Sequence, residues 1–286
     1  MNDTIAAGEV PDEVPGLPLP LSGETRLYAI IGDPVAQVGS PGAFNAAFRR
    51  LGAKAVLFPV HVAAEDLADL LIGFRAIRNL DGIVVTVPHK IAVLDFLDAV
   101  EPNGEKVGAV NAIRTEPDGR WVGGNFDGVG CVNGLLAAGH ALAGKSALVV
   151  GAGGAGRAVA HALADAGVSR LRVVDVDAAR RDRLAEGLRT HHPGLAVETG
   201  AAEPEGFDVV VNCTPLGMRA DDPLPVDPER IRPGSLVVDV VLKAPRSRLL
   251  QEAETRGCRV QGGRAMLEGQ VEAVLRFFGL GPPPVR

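Results

Sequence analysis

The string Gly151-Ala152-Gly153-Gly154-Ala155-Gly156 carries the pattern G-x-G-x-x-G. Its chemistry is that of exposed main chain. Gly151 permits a tight turn, Gly153 lets the backbone approach a pyrophosphate, and Gly156 lets a helix pack closely on the preceding strand. Gly154 and Ala155 open that helix, whose unpaired N–H groups and partial positive charge face the phosphates. The string follows apolar ALVV and leads into an Ala-rich segment. That strand–turn–helix context separates a dinucleotide loop from a chance glycine run. Asp175 lies about twenty residues further on, where a carboxylate accepts hydrogen bonds from ribose hydroxyls and repels a 2′-phosphate. NAD is therefore favoured over NADP. Arg180 and Arg181 follow, and a rotated arginine is able to hold a phosphate, so NADP stays open. Asp177 is the better N-cap for the helix that comes next.

These residues need a scaffold of alternating strands and helices. RLYAII from Arg26, AVLFPVHV from Ala55 and GIVVTVP from Gly82 read as buried strands. Between them, Pro41 to Leu51 and Ala64 to Arg78 read as helices. AVNAIRT and RWVGGNF read as shorter strands around the turn Pro117-Asp118-Gly119. A second series begins at Ser146, with strands in ALVVG, LRVVDV, AVETG, FDVVVNCT and SLVVDVV. Its helices are Ala155–Ala166 and Ala178–Arg189, and a last helix spans Ala265–Phe278. This alternation predicts an α/β protein with parallel sheets covered on both faces.

Composition narrows the class. The 286 residues suit one large or two ordinary domains. A formal net charge of -6 argues against nucleic-acid or anionic-membrane partners, and no window is apolar enough to cross a bilayer. The Pro-rich, acidic start lacks a signal peptide's apolar core, and residues 1–25 are expected to be a flexible tail. Cys131, Cys213 and Cys258 are widely spaced and form no C-x-x-C pair. They predict reduced, packed thiols, no metal site and a cytoplasmic protein.

The first half holds strings that composition does not explain: GDPVAQVGSP (32–41), VTVPHK (85–90), GAVNA (108–112) and GNFDG (124–128). Together with GAGGAGRA (151–158) and TPLGM (214–218), in this order, they resemble the shikimate and quinate dehydrogenase family from about Leu27 to Leu280. The resemblance implies a substrate domain over 26–125, completed by a C-terminal helix at 264–286, and a Rossmann dinucleotide domain over 126–263. It puts the active site in the cleft between them, and leaves monomer or homodimer open. It implies Lys90 and Asp127 as the catalytic pair. Alone, Lys90 reads as a solvated lysine and Asp127 as a helix cap. As a pair they suit the removal of a hydroxyl proton while hydride leaves, and which of them holds the proton is open. Thr86, Asn111 and Gln270 match readers of substrate hydroxyls, and Ser40 one of two serines that hold a substrate carboxylate. Thr214, Leu216, Gly217 and Met218 match the loop beside the nicotinamide, and Gly263 joins the cofactor positions.

Departures from that pattern point the other way. Val38 stands where the second serine is usual, and Leu242 where a tyrosine also reads the carboxylate. Val84, Phe126 and Gly124 likewise replace polar residues. A site that loses a polar pairing loses discrimination with it. The expectation is therefore a divergent member of the family: it turns over shikimate or quinate slowly and prefers a substrate that depends less on its carboxylate. A related two-domain dehydrogenase of another substrate class, such as a folate-type enzyme, is an alternative without its own motifs here. A dinucleotide-binding regulatory protein without turnover is another, and the Lys90–Asp127 pair argues against it.

Overall fold

The computed structural model describes residues 21–242 and 246–281. Most of the expected tail, and residues 282–286 beyond the last helix, lie outside the described residues. The chain enters through β1 (Arg26–Gly32), α1 (Ser40–Leu51), β2 (Ala55–His61), α2 (Leu67–Arg75) and β3 (Leu80–Val85). A 3₁₀ turn at Ala92–Phe96 leads to β4 (Ala99–Val100) and α3 (Pro102–Val107). The hairpin β5 (Ala112–Thr115) and β6 (Trp121–Gly124) follows. These strands form one sheet in the order β2-β1-β3-β5-β6-β4. Tyr28 and Ile30 pack with Phe44 and Phe48 of α1, while Ala29 and Ile31 pack with Leu67, Leu71 and Phe74 of α2. The period of two along β1 thus feeds two cores.

The strand–helix alternation implied parallel sheets, and the first sheet is parallel except at the short strands around the turn Pro117-Asp118-Gly119. β1 runs parallel to β2 and β3, but β5 is antiparallel to both β3 and β6. The reason is local. The turn between β5 and β6 is too short for a crossover, and Gly119 supplies the positive φ, 86°, that closes it.

α4 (Asp127–Ala137) leaves this sheet. Then come β7 (Ser146–Val150), α5 (Gly154–Asp165), β8 (Arg170–Val174), α6 (Ala178–His191), β9 (Ala196–Thr199) and β10 (Val209–Asn212). The series closes with β11 (Leu236–Asp239), α7 (Arg248–Thr255), β12 (Arg259–Gly262) and α8 (Gly263–Phe277). The second sheet is parallel throughout, in the order β12-β11-β10-β7-β8-β9. Its winding reverses between β7 and β10, where open α/β sheets bind ligands at their strand ends.

α8 returns to the first lobe, with Val274 and Leu275 in the core beside Tyr28. α4 is wedged between α5 and α8 by its glycines. A Cβ on Gly128 would lie 2.2 Å from the Ala158 carbonyl oxygen, and one on Gly130 would lie 2.4 Å from that of Met266. Lys106 of α3 adds a bond across the lobes to Asp165 at the end of α5, 2.6 Å.

Candidate active site

Lys90 sits in the turn that follows β3. Thr86 N–H donates to Ile31 O, which carries the strand pairing one residue past β3. His89, buried, meets Val62 O through Nε2 at 2.9 Å, and since a carbonyl only accepts, that nitrogen carries the proton. Val110 N–H donates to Lys90 O. With its backbone pinned on both sides, the Lys90 side chain turns inward, 11% exposed, and pairs with Asp127 Oδ2. It is neither solvated nor at a helix start. Asp127 is the first residue of α4, with Phe126 at the cap position.

Asn111 organises the rest. Its Nδ2 donates to Asp127 Oδ1 at 2.9 Å and to Gln270 Oε1 of α8 at 2.7 Å, and its Oδ1 accepts from Phe126 N–H at 2.8 Å. Asn125 supports the turn below, accepting from Asp127 N–H and donating to Ala109 O. Lys90, Asn111, Asp127 and Gln270 therefore form one hydrogen-bonded group drawn from three parts of the chain. Asp127 is the acceptor for both Lys90 and Asn111, an arrangement that suits a carboxylate beside an ammonium. Among the described residues Lys90 Nζ has no second partner, so donors remain for a ligand.

A cavity of about 150 Å³ opens over this group. Thr86, Ser40, Val38 and Leu242 line it, as do the four residues just named. Every expected substrate residue thus faces one space. The sequence reading missed Phe44, Met266 and Leu267, which complete its wall. Phe44 was legible only as a core residue, whereas Met266 and Leu267 stand four and three positions before Gln270, on its face of the helix.

The glycine loop borders the same cavity through Ala155, and a Cβ on Gly154 would lie 3.2 Å from Lys90 Cβ. Gly151 has φ 105°, and a Cβ on Gly156 would fall 1.9 Å from Gly151 O, so both glycines are required. Nothing lies within 4 Å of where a Gly153 Cβ would be, and no side chain caps α5 there. The open approach and uncapped N–H groups fit a pyrophosphate. Asp175 accepts from Ala152 N–H at 2.6 Å and Asp177 N–H at 2.8 Å, which fixes it at the end of β8. Asp177 caps α6 as expected. Arg180 pairs with Asp177 and Arg181 with Asp182.

Thr214 to Met218 form a turn after β10. Thr214 Oγ1 donates to Asn212 Oδ1 and accepts from Leu216 N–H, and Gly217 has φ 100°. Asn212 in turn donates to Asp239 Oδ1, a buried carboxyl pushed up by desolvation. Leu216, Gly217 and Met218 line a separate pocket of about 640 Å³ with Asp239 and Ser247. Gly263 lines the smaller cavity, where a Cβ would lie 2.5 Å from Val240 O. Arg157, also missed, is buried behind the glycine loop and reaches Ala152 O and, across the lobes, Gly108 O. Its place one residue after Gly156 was the available signal. The three cysteines are free, and burial pushes the Cys131 thiol up to about 12. No helix among the described residues is long and apolar enough to cross a membrane, and they hold no cluster suited to a metal ion.

The profile of the shikimate dehydrogenase substrate-binding domain matches residues 30–113. A shikimate dehydrogenase (NADP(+)) of Rubrobacter xylanophilus is 41% identical over 271 residues, 92% of this chain and 94% of that one. Among solved structures, the quinate dehydrogenase of Corynebacterium glutamicum in complex with NAD superposes with a TM-score of 0.79. It is 30% identical and covers 91% of this chain and 95% of its own. The 5-ketofructose reductase of a Gluconobacter species gives 0.78 at 28% identity, covering 90% and 94%.

Proposed function

The chain belongs to the shikimate dehydrogenase family, and we propose that it is an NAD(P)-dependent oxidoreductase acting on a secondary ring hydroxyl of shikimate, quinate or a related polar alcohol, with NAD preferred. In this reading the first lobe, residues 26–125 with the last helix, holds the substrate, and residues 126–263 hold the dinucleotide. The observation that carries it is the Lys90–Asp127–Asn111–Gln270 group, set in a cavity that the glycine loop also borders.

A nicotinamide held by these residues would supply the acceptor, or in the reverse direction the donor, of the carbinol hydrogen with its two electrons. The chain's own residues manage the proton. Lys90 Nζ lies against the cavity with free donor capacity, and Asp127 beside it holds positive charge there. The hydroxyl proton passes to this pair as the ketone forms, and leaves to water before the next turnover. Asn111 and Gln270 orient the neighbouring hydroxyls, and Thr86 adds one more hydroxyl to that edge. Burial of the pair keeps bulk water from competing for the same hydrogen bonds.

Gly151 to Gly156, Asp175, Thr214 to Met218 and Gly263 would hold the dinucleotide. Two of the roughly four lone-pair sites on the Asp175 carboxylate are used by backbone N–H groups, which leaves capacity for two ribose hydroxyls. A 2′-phosphate would meet that charge, and Arg180 and Arg181 are already paired with acids. The Rubrobacter relative is an NADP(+) enzyme, while the quinate dehydrogenase binds NAD. The substrate range is equally broad, since 5-ketofructose carries no carboxylate.

Initial rates over shikimate, quinate and uncharged polyols, with both dinucleotides, test this reading. We expect kcat/KM to be at least about tenfold higher with NAD. Lys90→Ala should lower kcat by about a hundredfold or more while the KM for dinucleotide barely moves. Near-normal kcat in that variant would overturn the assignment.

A further inference from the structure

We infer that the site takes an uncharged, ring-sized polyhydroxy ketone and its alcohol in preference to any carboxylate-bearing analogue. The inference rests on the hydride-transfer reading above and commits it to one substrate class.

Size sets the first limit. The cavity's volume of about 150 Å³ matches an engineered protein cavity that takes one benzene ring. A single six- or seven-membered ring is of the size to fill it.

Charge sets the second. Lys90 is the one cation lining the cavity among the described residues, and Asp127 already matches it. The lining contributed by the described residues is therefore neutral. A carboxylate entering it would bring an unmatched charge into a space largely removed from water, and such burial is costly without a partner.

Donor placement sets the third. Both N–H groups of Asn111 are in use, on Asp127 and Gln270. The free donors stand at Lys90, Thr86 and Gln270, the edge where the reacting hydroxyl has to lie. The remaining described wall is mostly apolar, Val38, Phe44, Val84, Leu242, Met266 and Leu267 among it, with the Ser40 hydroxyl as its polar side chain. One hydroxyl serves a sugar-like hydroxyl well but leaves most lone pairs of a carboxylate empty. An apolar wall opposite a polar edge is the complement of a carbocycle or sugar ring, which shows C–H groups on its face and hydroxyls around its rim.

Chemically the step is that of the parent reading. One C–H and one O–H bond break and a C=O bond forms. The hydrogen with both electrons goes to the oxidised dinucleotide, and the proton goes to the Lys90–Asp127 pair. The acid group of shikimate or quinate takes no part in this balance, so its loss removes no reactant.

The test uses shikimate and its analogue with hydroxymethyl in place of carboxylate. Calorimetric titration into the full-length protein with reduced dinucleotide gives affinity without turnover, and initial rates with oxidised dinucleotide give kcat/KM. We expect the hydroxymethyl analogue to bind at least about tenfold tighter and to react at least about a hundredfold faster in kcat/KM. Val38→Ser with Leu242→Tyr should move the binding ratio toward the acid by about tenfold or more. Equal or tighter binding of the acid by the unaltered protein overturns the inference, as does binding of neither compound or an unchanged ratio in the double variant. Loss of acid binding in Lys243→Ala also overturns it, because that residue outside the described wall would then be the anion's partner. Preferential binding of the neutral analogue without dinucleotide reduction leaves the inference standing and removes the turnover reading instead.

Discussion

Asn111 holds Asp127 and Gln270 with one amide group, so the Asp127 carboxylate is coupled to a helix at the far end of the chain. Asp127 is 3% exposed in its side chain and Lys90 11%. Replacing Asp127 by Asn leaves a buried ammonium without its counter-charge, and breaking such a pair is far more damaging than never having built it. Asp127→Asn should therefore lower kcat by about a hundredfold or more. Initial rates measure this, and near-normal kcat in the variant would mean that the counter-charge is not needed for the step. At this scale the chain was largely readable. Lys90, Asn111, Asp127 and Gln270 were named by their motifs and stand together. What the motifs could not supply was the wall, because Phe44, Met266 and Leu267 look like any other core residues until the cavity they border is seen.

Among the elements, α4 was the least legible. Its sequence, DGVGCVNGLLA, has three glycines in eleven residues, and glycine costs a helix about 1 kcal/mol each relative to alanine. Local propensity for helix is therefore weak here. Tertiary packing overrides that preference, since a Cβ on Gly130 would lie 2.4 Å from Met266 O and one on Gly134 would lie 2.8 Å from Ala265 O. The hairpin and five of the six strands of the second sheet were clear by contrast, because turn residues and apolar runs are local signals, whereas β12, RVQG, has no such run and went unread. Two alanine substitutions separate propensity from packing. Gly73 in α2 is exposed, with nothing within 4 Å of its missing Cβ, and Gly73→Ala should stabilise the protein by about 0.5–1 kcal/mol. Gly130→Ala gains the same propensity but meets backbone, and should destabilise by about 1–3 kcal/mol net. Urea unfolding of both variants measures the contrast, and a stabilised Gly130→Ala would show that α4 is not held by close approach.

For the molecule as a whole, the link between lobes has an acid-sensitive neighbour. Asp165 bonds Lys106 and lies 3.6 Å from His192, whose Nε2 meets buried His161 Nδ1 at 3.0 Å. Burial, then the nearby His192, pushes His161 down to about 4. The unfolded chain takes up this proton first, so the stability His161 contributes is complete above about pH 6.5. It falls away as pH drops toward 4, by up to roughly 3 kcal/mol. His161→Gln should flatten that stretch of the stability curve, read as urea midpoints at pH 7 and pH 4.5, and an equally steep fall in the variant would assign the loss to carboxylates. A different consequence follows from α4. Lys90 belongs to one lobe, while Asp127 heads a helix whose glycines are cut to fit α5 and α8. Lobe exchange between relatives would then bring in a helix shaped for someone else's neighbours. Hybrids joined at the exposed turn Pro117-Asp118-Gly119 keep α4, α5 and α8 from one parent, whereas hybrids joined after α4 mismatch both of its contacts, to α5 and to α8. Breeding new specificities in this protein is for that reason a matter of where the seam is placed: before Asp127 the Lys90–Asp127 pair is reassembled from two parents, and after Ala137 it is inherited whole but mounted crooked.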